Sequence, residues 1–118
     1  MAYIRCTGGG GGPVEVITDT VTGAASSTIT VTSAQGKTPK RAMMSRAQGT
    51  PSLMSWDANF PSGAACRIYN NALTNTTVGN SYAYTPTVQS VGADNIVLMF
   101  PTSASYVNYP FTYSVEFE

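Results

Sequence analysis

Five consecutive glycines, Gly8 to Gly12, stand near the start of the chain and could in principle cradle a phosphate. A phosphate loop needs a lysine and a hydroxyl residue directly after its glycines, at the first turn of a helix. Here Pro13, Val14 and Glu15 follow, and the next segment has the pattern of a strand. A dinucleotide fingerprint needs a strand–helix–strand unit, which the chain does not offer. We therefore expect no nucleotide site.

The carboxylates are the next groups that could do chemistry, as a glycosidase pair or as calcium ligands. They are Glu15, Asp19, Asp57, Asp94, Glu116 and Glu118, and they do not form an acid-rich loop. Asp57 follows Trp56, a pairing seen at sugar subsites, but an aspartate at a strand end more often forms a turn. The chain has no histidine, which excludes serine–histidine and cysteine–histidine dyads and ordinary zinc sites. We expect a protein that is not an enzyme, with no cofactor and no metal.

Two cysteines, Cys6 and Cys66, leave two interpretations open. They can form one disulfide in an oxidising compartment, or serve as two small half-buried hydrophobes. The second interpretation is favoured, because two thiols do not identify a compartment.

Four of the six basic residues are Lys37, Lys40, Arg41 and Arg46. This cluster could contact a phosphate or an acidic sugar, but we favour a solvated strand edge, where lysine discourages pairing with another sheet. The chain has zero formal net charge and only 10% charged residues, against roughly 25% in an average protein. Such a surface does not attract nucleic acid, and near-zero net charge favours association.

Aromatic residues lie in or beside segments rich in Asn, Ser and Thr, such as NNALTNTTVGNSYAY and TSASYVNYP. Rigid aromatic side chains with small polar neighbours suit binding surfaces, including those for sugars. The alternative is that they fill subunit contacts, and both interpretations stay open. The candidate glycan or receptor contacts are Trp56, Tyr82, Tyr84, Tyr106 and Tyr109.

The elements that must position these residues have a period of two. In SSTITVTS, Ile29 and Val31 share one face and the threonines share the other; YPFTYSVEFE alternates in the same way. The apolar run Ile96 to Phe100 suits a central strand. Further strands are predicted at 2–7, 13–19, 40–47, 52–57, 65–70 and around 76–88, with turn signals between them. The sequence predicts an all-β fold: a single antiparallel β-sandwich, jelly-roll or immunoglobulin-like, of about eight strands with a glycine-rich N-terminal arm.

Three pieces of the chain carry a resemblance to a known family: AYIRCTGGGGG, GKTPKRAMMS, and the pair DNIVLMF and YPFTYSVEFE. Together they resemble the small β-sandwich proteins of tailed-phage virions, of the tail and fibre appendage type. The resemblance implies a non-enzymatic virion structural protein that docks on a larger assembly through its N-terminal segment. It implies partners in the virion and in further copies of the chain, with a trimer if the protein belongs to a fibre. It implies no catalytic residues.

We accordingly divide the chain into an anchoring arm, residues 1–12, and a sandwich domain, residues 13–118. The arm would add its strand to a neighbour's sheet, with the glycines as a hinge. The interface candidates are Tyr3, Ile4, Cys6, Gly8, Gly9, Gly10, Gly11 and Gly12. The alternative function is a carbohydrate- or receptor-binding module for a host surface glycan. No signal peptide is apparent and no apolar run approaches about 18 residues, so we expect no membrane insertion. The resemblance implies a virion location for a protein made in the host bacterial cytoplasm.

Overall fold

The structure, a computed structural model, describes residues 14–46, 48–49, 51–61 and 63–118. Within these ranges the chain forms nine strands and one short 3₁₀ turn, Ala104–Tyr106. The strands are β1 Glu15–Val21, β2 Thr28–Thr32, β3 Pro39–Arg46, β4 Ser52–Asp57, β5 Ala64–Tyr69, β6 Ala72–Thr77, β7 Thr87–Val91, β8 Asn95–Met99 and β9 Phe111–Phe117.

The strands form two antiparallel sheets. The larger has six strands in the order β1-β9-β3-β4-β5-β6, and the smaller has three in the order β2-β8-β7. Residues of both sheets share one hydrophobic core, so the predicted all-β sandwich is confirmed. The predicted arm, residues 1–12, and its interface candidates lie outside the described residues.

The core follows the alternation seen in the sequence. Phe111, Tyr113, Val115 and Phe117 of β9 are all buried, while Thr112 and Ser114 between them are only half-buried. β8 is the central strand of the small sheet, as its apolar run predicts. Phe100, directly after β8, packs edge-on against Phe111 with ring centroids 5.2 Å apart, which joins the two sheets.

The central strands of the six-stranded sheet are also buried on the face that points away from the core. Met43 alternates with the core residues Ala42 and Met44, and yet its side chain is buried, as is Ser55 beside it on β4. Arg41, on the same face as Met43, is only 2% exposed. The prediction that the basic cluster lies on a solvated strand edge is therefore wrong: β3 is an inner strand between β9 and β4.

Candidate functional site

Four tyrosines and one arginine meet at one end of the six-stranded sheet, and we name this group the tyrosine cluster: Tyr69, Tyr84, Tyr106, Tyr109 and Arg46. The rings of Tyr69 and Tyr84 are stacked, with centroids 4.7 Å apart. Tyr106 stands edge-on to both, 4.8 Å from Tyr84 and 6.0 Å from Tyr69. The Arg46 guanidinium carbon lies 5.1 Å from the ring of Tyr106 and 5.7 Å from that of Tyr109, within cation–π range.

Strand ends and two loops hold the cluster in place. Tyr69 and Arg46 are the last residues of β5 and β3. The loop with Tyr84 is fixed by the Ser52 hydroxyl, which donates to the Tyr84 carbonyl oxygen, and by Ser103 N–H, which donates to the Ala83 carbonyl. Backbone contacts from several elements thus position the rings. Binding of a ligand would therefore cost less conformational entropy of these side chains and loops.

Tyr84 is the most exposed ring of the tyrosine cluster. The three centroid separations place Tyr69 and Tyr106 in nearly perpendicular directions as seen from Tyr84. Tyr69 and Tyr106 thus pack on different sides of Tyr84, which is still 44% exposed. An exposed, ordered aromatic face is the element that stacks against a sugar ring or packs into a protein partner.

The rest of the cluster is set by charge and hydrogen bonding. A Cβ on Gly49 would lie 2.9 Å from Arg46 Nη2, so the glycine makes room for the guanidinium. The hydroxyls of Tyr69 and Tyr106 are 3.0 Å apart. This hydrogen bond, together with burial, raises the pKa of Tyr69, although the nearby charge of Arg46 acts in the opposite direction.

The structure brings together only part of the predicted aromatic set. Tyr84, Tyr106 and Tyr109 belong to the cluster, whereas Tyr82 lies over Arg67, whose guanidinium carbon is 4.0 Å from its ring centroid. The Tyr82 hydroxyl accepts a hydrogen bond from the Thr76 hydroxyl, and this hydrogen bond lowers the pKa of Tyr82. Trp56 is 8% exposed and packs in the core.

Sequence reasoning missed Tyr69 and Arg46. Tyr69 ends an alternating strand on the core side, next to the Asn70-Asn71 turn, and that position at a strand end is the only sequence signal for it. Arg46 was predicted as part of a solvated edge, and pairing with aromatic rings from distant loops is not visible in the sequence.

A second candidate feature is the cleft at the opposite end of the six-stranded sheet, where β3 begins and β4 ends. Its volume is 650 Å³, within the range of small-molecule sites. The lining residues are Thr38, Pro39, Lys40, Trp56, Asp57, Ala58, Phe60, Gly63, Val78 and Val91.

A third candidate feature is the edge strand β6, which pairs with β5 alone among the described strands. Its six residues, ALTNTT, carry no charge and no proline, and all but Thr76 are exposed. Its pairing with β5 has no register shift. A regular, uncharged edge is a template for another strand.

Three of the six carboxylates come together around one arginine. Arg41 pairs with Asp57, Glu116 and Glu118, so these acids belong to a buried ion-pair network. Asp57 Oδ1 also accepts the N–H of Asn59, which confirms the predicted role of Asp57 in a turn. Within the described ranges, no group of three or more His, Cys, Asp or Glu could hold a metal ion.

Cys66 lies on β5 and is buried, with its sulfur 3.9 Å from Asn75 Oδ1. It is disulfide-bonded, so the favoured interpretation of Cys66 as an unpaired small hydrophobe is wrong. Its partner lies outside the described residues.

Comparison of the chain with protein-family models, curated protein sequences and solved structures finds no match. In the part of the chain that the structure describes, no helix is long and apolar enough to cross a membrane.

Proposed function

We propose that this chain is a non-enzymatic structural protein of a phage virion, a tail, fibre or decoration component, that assembles with further copies of itself. The fold is a rigid sandwich and the chain has no net charge, and both features support this proposal. The observation that carries it is the uncharged, exposed and unbulged edge strand β6. Attachment through the arm, residues 1–12, stays a prediction and would be a separate contact.

The turn before β6 determines which backbone groups face outward. Asn70 and Asn71 have φ of 54° and 64°, the left-handed conformation of a two-residue hairpin turn. The residues flanking such a turn, Tyr69 and Ala72, exchange hydrogen bonds, and hydrogen-bonded pairs then alternate along the ladder. The backbone groups of Leu73, Asn75 and Thr77 therefore point away from β5.

These outward groups suit a two-fold contact between copies. If β6 pairs antiparallel with β6 of a second copy about Asn75, Leu73 of each copy lies opposite Thr77 of the other. One surface then serves both subunits, as in most homodimers. The opposite edge, β1, is less suited to pairing because it carries Glu15 and Asp19. Leu73 is 64% exposed, and this contact would bury part of its apolar surface away from solvent.

The test is the oligomeric state in solution, measured by light scattering across a concentration series. We expect the wild-type chain to be dimeric or larger, and Leu73→Pro to dissociate the β6 contact because proline lacks the outward N–H. Leu73→Lys, which leaves the backbone unchanged, should weaken the contact because it replaces an apolar side chain by a charged one, and lysine on an edge strand discourages pairing with another sheet.

Val16→Lys is the matched control, because Val16 is also an exposed apolar residue but lies on β1, at the other edge of the same sheet. It should keep the wild-type oligomeric state. A wild-type chain that is monomeric at every concentration, or a Leu73→Pro variant that assembles as the wild type does, would contradict the proposal.

The second candidate function is recognition of a host surface glycan, favoured by the exposed ring of Tyr84 in the tyrosine cluster. We expect Tyr84→Ala to abolish binding on a glycan array with no change in oligomeric state. The Ser52 hydrogen bond is to the Tyr84 backbone, so the loop keeps this contact in the variant. Tyr82→Ala is the control and should bind as the wild type does, while a wild-type chain that binds no glycan on the array rules this function out.

A further inference from the structure

Lys40 occupies an irregular position in β3, at the cleft. Pro39 is paired with Phe117 and Arg41 with Glu116, so two consecutive residues of β9 face three residues of β3 and Lys40 is the extra one. A β-bulge of this kind redirects a side chain, and bulges are frequent beside binding sites. The N–H of Ala58 donates to the Lys40 carbonyl, 2.8 Å away, which holds the bulge against the end of β4.

Lys40 lines the cleft together with apolar residues. Trp56, Phe60, Val78 and Val91 line the cleft with it, and these residues come from both sheets and from the connections between strands. Among the described residues, Lys40 has no salt-bridge partner. Asp57, the other charged lining residue, is already engaged, because its carboxylate contacts Arg41 Nε at 3.3 Å and the Asn59 N–H at 2.8 Å.

We propose that this cleft binds a small carboxylic acid with an apolar body. The carboxylate pairs with the Lys40 ammonium, and the body packs against Trp56 and Phe60. A charge-assisted bond at the edge of an apolar site is stronger than one in open water, because the surrounding dielectric constant is lower. The inference does not depend on the proposed assembly role.

The lining also indicates what the cleft rejects. Among the described residues that line it, Thr38 supplies the only side-chain hydroxyl, so a sugar acid would leave several of its own hydroxyls without partners. The ligand class is therefore an aromatic or alicyclic carboxylate and not a uronic acid, which separates this site from glycan recognition at the tyrosine cluster.

Trp56 is the only tryptophan of the chain, so its fluorescence reports on the cleft directly. The probe is sodium benzoate, titrated into the full-length protein at constant ionic strength, with selective excitation of tryptophan. We expect a saturable change in Trp56 fluorescence. Benzamide, which has the ring without the charge, and glucuronate, which has the charge without an apolar body, should each bind at least tenfold more weakly.

Lys40→Met should weaken benzoate binding at least tenfold, and circular dichroism checks that the variant is folded. Lys37→Met, which removes a lysine three positions away that does not line the cleft, should leave the affinity unchanged. The absence of a saturable signal at roughly 10 mM benzoate, where a weak small-molecule site would already be filled, overturns the proposal. Equal affinity for benzamide, or unchanged affinity in Lys40→Met, overturns it as well.

Discussion

Arg41 Nε lies 3.3 Å from Asp57 Oδ2, and the two side chains are 2% and 0% exposed. The same guanidinium reaches Glu118 at 3.1 Å and Glu116 at 3.7 Å. Burial alone would lower the pKa of Arg41, but the hydrogen bond to Glu118 and the attraction of the three carboxylates outweigh it and raise that pKa. The ion-pair network thus lies within the six-stranded sheet, where strands β3, β4 and β9 meet.

Arg41→Met should lower the free energy of unfolding by about 3–5 kcal/mol, because it leaves the buried carboxylate of Asp57 without its cation. Urea unfolding followed by circular dichroism measures the loss. The double variant Arg41→Met/Asp57→Asn should recover part of it, since the amide carries no charge. A loss below about 1 kcal/mol for Arg41→Met would show that the Arg41–Asp57 pair is not needed for the stability of the fold.

Gly23→Ala should destabilise the protein by about 1–3 kcal/mol, because the added methyl group would overlap the ring of buried Phe100. The double variant Gly23→Ala/Phe100→Leu makes room for the methyl group, so Gly23→Ala should cost less in the Phe100→Leu background. Thermal unfolding of the four proteins gives the coupling between the two positions. Additive effects would show that the two residues do not interact.

The sequence predicts most of the fold because most strands bury one face. β2, β3, β4, β5, β8 and β9 all overlap their predicted ranges, since alternation or an apolar run marks each of them. The region around 76–88 was predicted as one strand, but β6 ends at Thr77 and β7 begins at Thr87. β6 has no buried face to produce a pattern, and the loop between the two strands is shaped by tertiary contacts.

The candidate sites were less predictable than the fold. The tyrosine cluster joins the ends of β3 and β5 to two loops, and the sequence does not show which loops meet. Arg41 shows the same limit: a charged residue in a strand is expected in solvent, and only the carboxylates of β4 and β9 explain its burial. The cleft contains a bulge at Lys40, and the residue types of β3 do not predict that bulge.

Glu15 joins β1 to the turn that follows β2. Ser33 Oγ donates to Glu15 Oε1 at 2.5 Å, and Ala34 N–H donates to Oε2 at 2.9 Å. The hydrogen bond from Ser33 is the main reason that the pKa of Glu15 lies below its ordinary value.

Because the folded pKa of Glu15 is lowered, its contribution to stability is present above the unfolded-state pKa and is lost as the pH falls through the folded value. Ser33→Ala should raise the pKa of Glu15 and reduce the acid dependence of stability. A carboxyl-detected NMR titration measures the pKa. An unchanged value would show that the backbone donors alone hold the carboxylate.

Tyr106→Phe should lower the pKa of Tyr69, because the hydrogen bond to Tyr106 is the largest cause of its elevation. NMR titration with labelled tyrosine rings resolves the individual hydroxyls. Tyr109→Phe is the control, since Tyr109 contacts Arg46 and not the Tyr69 hydroxyl. A Tyr69 pKa that stays raised in Tyr106→Phe would indicate that burial is the dominant cause.

The pairing of β1 with β9 has a mechanical consequence. Glu15, at the start of β1, lies opposite Phe117, at the end of β9, so the chain enters and leaves the sandwich at the same end. A pulling force applied at Glu15 and Phe117 would open the β1–β9 hydrogen bonds one after another instead of shearing all of them at once. The β1–β9 pair would therefore yield at low force when stretched between these two residues, and it would bear load better when the force enters through one of them and leaves through the side of a sheet.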